Sequence, residues 1–192
     1  MLLRHYLINL TLSVLAAGST FAFPKGATLP VPELVRTSRF SLVQTKLSND
    51  IQVVVFYYSA SWCTPCKQTS AALRQAYPDM IKKAAGLEFI TYTIDQSPRA
   101  RADYLRDTRF DWPALSPEVI DEAPWLKKIP GGTPQFQAFE IQDSFLVAIT
   151  ETGDSEEVFS EAFKYTNPKL SLPIYKPNKV GINDSRSYNF YP

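Results

Sequence analysis

The two cysteines of this chain, Cys63 and Cys66, lie two residues apart in the stretch FYYSASWCTPCKQTS. A pair at this spacing can form a disulfide, supply half of a metal site, attach a haem or carry out redox exchange. A haem attachment needs a histidine directly after the second cysteine, and Lys67 stands there instead. A structural zinc site needs four ligands, of which the chain offers two soft ones. A disulfide across so small a loop restricts the unfolded chain little, so redox exchange is the favoured interpretation and an inert disulfide the alternative.

The elements around the pair favour redox exchange on electrostatic grounds. Residues 51–59 (IQVVVFYYS) predict a buried central strand, and helical spacing of apolar residues predicts a helix from about Cys63 to Ala84, bent at Pro78. A thiolate at a helix N-terminus is stabilised by free N–H groups and by the helix dipole. We therefore expect Cys63 to have a lowered pKa and to be the attacking group. Cys66 lies a turn deeper and would resolve the mixed disulfide, and Pro65 suits the first helical turn.

The rest of the chain predicts a mixed sheet. Residues 87–95 read as a second buried strand, followed by a helix from the cap Ser97 to about Thr108. A strand–helix–strand order requires a parallel pair joined by a right-handed crossover. Two alternating strands, QFQAFEI and SFLVAIT, predict an antiparallel hairpin with Asp143 near its turn, and DSEEVFSEAFKYT predicts a C-terminal helix.

The first 22 residues have the pattern of a cleaved secretory signal. Arg4 and His5 precede an apolar run over residues 7–17, and Ala22 ends a small-residue cleavage site. The run is short for a membrane span, and an uncleaved membrane anchor is the alternative. The expected location is therefore secreted or periplasmic. Cleavage would remove His5, the only histidine, and with it any Cys–His catalytic pair or histidine metal site.

Composition sets the broad class. The chain has 192 residues, of which 45% are hydrophobic and 20% charged, and a formal net charge of +1. This balance is typical of one globular domain with appendages. No basic cluster stands out, so no nucleic-acid partner is expected.

Three motifs together resemble the thioredoxin superfamily. SASWCTPCK is similar to its Trp-Cys-x-x-Cys active-site motif, GGTPQF to its cis-proline loop, and TYTIDQSP to the strand-to-helix passage between them. The resemblance covers about residues 50–165. The run from Tyr57 to Cys63 is most similar to tryparedoxin and nucleoredoxin, and the signal with WCxPC is also typical of bacterial TlpA-like periplasmic thioredoxins.

The resemblance implies a thioredoxin fold, an α/β fold with a mixed central sheet and helices on both faces. It also implies a cis bond at Thr133-Pro134, with the backbone of Thr133 binding an extended substrate segment beside the disulfide. Trp62 would shield Cys63 and offer an apolar contact, its alternative role being internal packing. Electrons would pass through the cysteine pair alone, so no cofactor and no metal is expected. The expected partners of this monomer are protein thiols or disulfides and a redox partner protein, for which a membrane-bound electron donor is one candidate.

The chain also departs from thioredoxin. Tyr57 stands where thioredoxin has a buried aspartate, and Thr91 where it has a lysine, so the carboxylate–amine pair thought to move protons is missing. Tyr57 could support the site or only pack there. Glu88 is a candidate substitute proton carrier, although an acidic residue at a strand start is more often solvated.

The resemblance divides the chain into four parts. After the signal come an N-terminal leader and first strand (23–49), the thioredoxin-like domain (50–166) and an irregular tail (167–192). Residues 34–45 would form the first strand. Residues 109–131 are an insert before the cis-proline loop, with a short helix between Glu118 and Lys128, and could shape partner choice. Its two tryptophans, Trp112 and Trp125, are expected to pack internally rather than to form a binding face.

The favoured function is a thiol–disulfide oxidoreductase acting on protein disulfides, in the direction of reduction. One alternative is a thioredoxin-fold interaction module whose disulfide is static. A weaker alternative is a thiol peroxidase.

Overall fold

The computed structural model describes residues 23–122 and 133–166. These residues form eight strands and four helices. The strands are β1 (Thr28–Pro30), β2 (Leu34–Ser38), β3 (Ser41–Thr45), β4 (Val53–Ser59), β5 (Leu87–Thr93), β6 (Ala114–Leu115), β7 (Gln135–Gln142) and β8 (Phe145–Ala148). The helices are α1 (Thr64–Lys83), α2 (Pro98–Thr108), α3 (Val119–Glu122) and α4 (Ser155–Thr166).

All eight strands belong to one mixed sheet, in the order β1-β8-β7-β4-β5-β6-β2-β3. β4 lies in the middle, parallel to β5 and antiparallel to β7. The parallel pair and the β7–β8 hairpin are as the sequence predicts, and Asp143 occupies the turn with a φ of 54°. The predicted mixed sheet with helices, the arrangement of a thioredoxin fold, is confirmed.

The two faces of the sheet bury separate apolar clusters, because alternate residues of a strand point to opposite faces. Every residue of β4 is buried. Val53, Val55 and Tyr57 pack in one cluster with residues of α1, α2 and α4. Val54, Phe56 and Tyr58 pack in the other, which includes Ile120 of α3 and N-terminal side chains such as Phe23 and Leu29. The central strand is thereby fixed on both sides.

Helix α1 follows β4 directly and begins as the sequence predicts. Cys63 is its N-cap residue and Pro65 lies in its first turn, where a missing N–H costs little. Pro78 lies inside the helix, and Lys82 and Lys83 complement the dipole at its end. Gly86 then adopts a φ of 90°, a conformation that favours glycine, and leads the chain into β5.

The N-terminal part differs from the prediction in two places. Residues 34–45, predicted as a single strand, form the hairpin of β2 and β3, which turns at Arg39 with a φ of 51°. The turn contains no glycine, proline or asparagine, so the sequence does not signal it. Residues 28–30, predicted as extended leader, form the edge strand β1 on β8. Pro30 is compatible with that position because an edge strand leaves one side unpaired.

Some predictions fall on residues outside the described ranges. These are the signal (1–22), the tail (167–192) and the part of the insert that includes Trp125. Of the helix predicted in the insert, Val119–Glu122 is seen as α3. Within the described residues, the structure contains no helix with the length and apolar character needed to span a membrane.

Candidate redox site

The two cysteines lie where the central strand passes into α1. Residues 60–63 connect β4 to the helix, and Cys63 and Cys66 form a disulfide with an S–S distance of 2.03 Å. Cys63 is 4% exposed and Cys66 is fully buried. Both pack with Ala60 and Ile94 in a small cluster at the carboxyl edge of the parallel strands. Both cysteines are thus largely shielded in the disulfide form, and Cys63 is the more exposed of the two.

A backbone donor faces the sulfur of Cys63. The N–H of Cys66 donates to Cys63 Sγ at 3.1 Å, which is the capping interaction of α1. Such a donor, together with the positive end of a 20-residue helix, favours the thiolate over the thiol when the disulfide is reduced. The local sequence thus places the sulfur of Cys63 at the first helical turn, where a thiolate is favoured.

The predicted second signature lies against the same sulfur. The bond Thr133-Pro134 is cis. The carbonyl oxygen of Thr133 lies 3.6 Å from Cys63 Sγ, a contact rather than a hydrogen bond because a disulfide sulfur carries no hydrogen. Thr133 and Pro134 are both partly exposed. Residues 70 positions apart in the chain therefore meet at one edge of the sheet.

Trp62 is largely exposed. Its relative exposure is 64%, the highest among the described tryptophans, which rules out the internal packing considered as its alternative role. Trp112 behaves in the opposite way. It is 1% exposed in the first core cluster and donates from Nε1 to Thr91 Oγ1 at 2.8 Å. The prediction that Trp112 packs internally is confirmed, and its hydrogen bond gives Thr91 a structural role.

Tyr57 lies behind the cysteines on β4 and is fully buried. Its hydroxyl donates to the carbonyl oxygen of Cys66 at 2.9 Å and lies 3.0 Å from Ser70 Oγ on the next turn of α1. Its ring stacks on Phe136 with centroids 5.1 Å apart. Burial raises the pKa of Tyr57 above the ordinary phenol value, so the hydroxyl stays protonated near neutral pH. Tyr57 therefore supports the first turns of α1 by hydrogen bonding as well as by packing.

Glu88 is not a proton carrier for the cysteines. It pairs with Val54 in the parallel register of β4 and β5, five residues before the strand end where the cysteines lie. At about 3.3 Å per residue, that separation is roughly 16 Å. Its carboxylate instead accepts from Arg36 at 2.9 Å, from Tyr77 Oη at 2.7 Å and from the N–H of Phe89. The residue is 8% exposed, so it is not solvated either.

Asp95 is the residue of the site that sequence reasoning missed. It is 4% exposed, and its carboxylate accepts hydrogen bonds from Ser61, two residues before Cys63. The signal for it was present in TYTIDQSP, because the residues that follow neighbouring parallel strands meet at one edge of the sheet. Within the described residues, no group of three or more histidine, cysteine or acidic side chains is arranged to hold a metal ion.

Comparison with known proteins agrees with this geometry. Residues 50–128 match a family model described as thioredoxin-like. No curated protein matches the sequence.

Similar solved structures have low identities. A thiol:disulfide interchange protein from Bacteroides sp. has 12% identity and a TM-score of 0.50, covering 77% of this chain and 93% of its own. Thioredoxin from Wuchereria bancrofti has 18% identity and a TM-score of 0.49, with 76% and 92% covered. Tryparedoxin I from Leishmania major has 17% identity and a TM-score of 0.48, with 64% and 81% covered.

Residues 50–128 are therefore similar to a thioredoxin-like domain, and the fold agrees with that similarity. The Cys63-x-x-Cys66 pair of this segment lies at disulfide distance at the start of α1, an arrangement that is chemically suited to thiol–disulfide exchange.

Proposed function

We propose that the protein reduces disulfides of other proteins, with Cys63 as the attacking sulfur and Cys66 as the resolving one. The observation that carries this assignment is the asymmetry of the pair. Cys63 Sγ accepts the N–H of Cys66 at the N-terminus of α1, while Cys66 itself is completely buried. An activated outer sulfur and a sheltered inner sulfur are what a two-step exchange needs.

The exchange transfers two electrons from the cysteine pair to the partner. The Cys63 thiolate attacks one sulfur of the partner disulfide, and the other partner sulfur leaves as a thiolate and takes up a proton. Cys66 then loses its proton and attacks Cys63 Sγ, which releases the second partner sulfur as a thiolate that is protonated in turn. The partner is now a dithiol and the protein holds the Cys63–Cys66 disulfide, which a dithiol donor must reduce again.

The partner's polypeptide would dock along the edge formed by Trp62 and the cis-proline loop. The partly exposed Thr133 and Pro134 border Cys63, and Thr133 would offer its backbone to an extended segment. Trp62 would add an apolar contact. The N-terminal signal pattern supports action outside the cytoplasm, in a secreted or periplasmic location, where a redox partner protein would act as electron donor. The direction of exchange depends on the reduction potential of the pair relative to that compartment.

Insulin reduction with dithiothreitol as donor tests the proposal. The expected result is turnover by the native protein and none by Cys63→Ser, whereas Cys66→Ser accumulates a mixed disulfide with the partner. If the native protein shows no turnover in either the reducing or the oxidising direction, the alternative function is favoured, in which the protein is an interaction module with a static disulfide. Peroxide consumption faster than by free dithiothreitol, without insulin reduction, would instead indicate a thiol peroxidase.

A further inference from the structure

The carboxylate of Asp95 is buried, and its described hydrogen bonds all come from Ser61 and Thr93. It follows β5 directly and accepts from the N–H of Ser61 at 3.1 Å and from Ser61 Oγ at 2.6 Å. The oxygen that accepts the Ser61 N–H, Oδ2, also accepts from Thr93 Oγ1 at 2.6 Å, while Ser61 Oγ donates to Oδ1. One side chain thus joins the end of β5 to the segment that leaves β4. Hydrogen bonds to a charged acceptor are about twice as strong as neutral ones.

Ser61 and Trp62 are the two central residues of a tight turn. The N–H of Cys63 donates to the carbonyl oxygen of Ala60 at 3.2 Å, which closes the turn over residues 60–63. Cys63 is also held by α1 through its capping bond with Cys66. Trp62 is 64% exposed, so most of its side chain is not surrounded by protein. The position of Trp62 therefore depends on Ser61, and through Ser61 on Asp95.

The backbone of Asp95 is itself fixed by a buried cation. Arg101, 2% exposed on α2, donates to the carbonyl oxygen of Asp95 at 3.0 Å and to that of Pro117 at 2.8 Å. Its remaining donor pairs with Asp121 of α3. A planar guanidinium with donors in fixed directions suits this role. Arg101 thus anchors the main chain of Asp95, while the carboxylate of Asp95 binds the turn through Ser61.

We propose that Asp95 is a positioning residue that presents Trp62 to protein partners, and so determines the preference of the site for protein disulfides over small ones. The inference rests on the proposed function and extends it. A small disulfide needs only the sulfur of Cys63, which the helix cap holds independently. A polypeptide also meets the exposed ring of Trp62, and gains from it only when the turn is fixed in advance.

The test compares kcat/KM for insulin with that for 2-hydroxyethyl disulfide, a small neutral disulfide. In Asp95→Asn, one of the two acceptor oxygens becomes an NH₂ group, so at least one of the hydrogen bonds donated by Ser61 or Thr93 is lost. We expect kcat/KM for insulin to fall roughly fivefold, the factor that corresponds to about one lost hydrogen bond, mainly through KM. The value for the small disulfide should change by less than about twofold. Ser61→Ala, which keeps the backbone donor, should lie between native and Asp95→Asn.

Glu88→Gln is the matched control, because Glu88 is a buried, hydrogen-bonded carboxylate on the same strand but at its far end. It should lower the melting temperature and leave the ratio of the two kcat/KM values unchanged. A second test repeats Asp95→Asn in a Trp62→Ala background. If Asp95 acts through Trp62, Asp95→Asn should not lower kcat/KM for insulin further in the Trp62→Ala protein, because substitutions that act through the same contact are not additive.

Three results would overturn the inference while the native protein reduces insulin. These are an unchanged substrate ratio in Asp95→Asn, an equal change in Glu88→Gln, or a full additional loss in the Trp62→Ala background. Failure of the native protein to reduce either disulfide would instead contradict the proposed function itself.

Discussion

Strand β5 has a buried carboxylate near each end, and the two differ in what they hold. At the amino end, Glu88 binds Arg36, Tyr77 and the backbone of Phe89, all of them parts of the structural frame. Beyond the carboxyl end, Asp95 binds the turn that leads into Cys63. We call these the frame end and the redox end. Burial and hydrogen bonding alone therefore do not mark a functional carboxylate; its partners do.

Alkaline pH should affect both ends at once and produce the largest change. Burial raises the pKa of Tyr57, at the redox end, and of Tyr77, at the frame end, above the ordinary phenol value. Burial does the same to the pKa of Tyr58 and of Tyr92. The folded protein retains protons that the unfolded chain releases near pH 10, so this stability is complete below pH 10 and is lost as the pH rises above it. Tyrosinate absorbance at 295 nm should rise together with loss of far-ultraviolet circular dichroism. Full titration with retained circular dichroism would contradict the prediction.

Removal of Arg101 should be the most damaging single change at the redox end. Arg101→Leu leaves two carbonyl oxygens without their donor and Asp121 without its cation. Because the Asp121 side chain is about half exposed, the cost comes mainly from the two buried carbonyl oxygens, at about 1–3 kcal/mol for each acceptor left unsatisfied. We therefore expect a loss of about 3 kcal/mol in the free energy of unfolding. Urea denaturation measures it. Arg99→Leu, an exposed neighbour on the same helix, should cost less than about 0.5 kcal/mol.

Glu88→Ala should cost about 2 kcal/mol, because the Tyr77 hydroxyl and the N–H of Phe89 lose their acceptor inside the protein. The expected result is a lower urea midpoint with an unchanged insulin-reduction rate per folded molecule. A fall in that rate at full folding would show that the frame end also influences the cysteines, and the distinction between the two ends would fail.

Tyr57→Phe separates support from proton transfer at the redox end. Loss of the bond to the Cys66 carbonyl should cost about 1 kcal/mol. Because the hydroxyl stays protonated and contacts a carbonyl and Ser70, we expect insulin turnover to remain within about twofold of native. Stopped-flow reduction across pH 6–9 measures this. A rate that falls tenfold or more, with a changed pH profile, would assign Tyr57 to proton movement.

Trp62→Ala should have the smallest effect on stability, within about 0.5 kcal/mol, since the side chain is mostly exposed. Its effect should appear only in kinetics, as a higher KM for insulin. The same substitution at Trp112, which is buried, should cost at least about 3 kcal/mol. Equal losses of stability in the two variants would mean that Trp62 is part of the core.

Much of the fold near the cysteines could be predicted because its signals are local. The apolar run of β4, the cap at Cys63 and Pro65 in the first turn each depend on residues next to one another. The β2–β3 hairpin could not be predicted, because Arg39 in its turn adopts a left-handed backbone conformation that arginine rarely adopts. Likewise, the edge strand β1 exists only because β8 is available to pair with it.

The site likewise contains residues that could be predicted from the sequence and residues that could not. The cysteine pair and the cis-proline loop were predicted from motif and order, whereas neither of the two roles considered for Glu88, proton carrier or solvated surface residue, is what the structure shows. An acidic residue in a strand does not reveal at which end of the sheet its partners lie. Only the parallel register of β4 and β5 shows that Glu88 is far from the cysteines and that Asp95 is close to them.

The sequence by itself determined which chemistry to expect of this protein. Two cysteines with two residues between them, after a buried strand and before a helix, predict an activated sulfur and a resolving sulfur through the short-range effects of capping and dipole. The tertiary structure decided which distant groups serve that pair. Thr133 and Asp95 reach the redox end, and Glu88 does not, because strand pairing and packing bring together residues that the chain keeps apart.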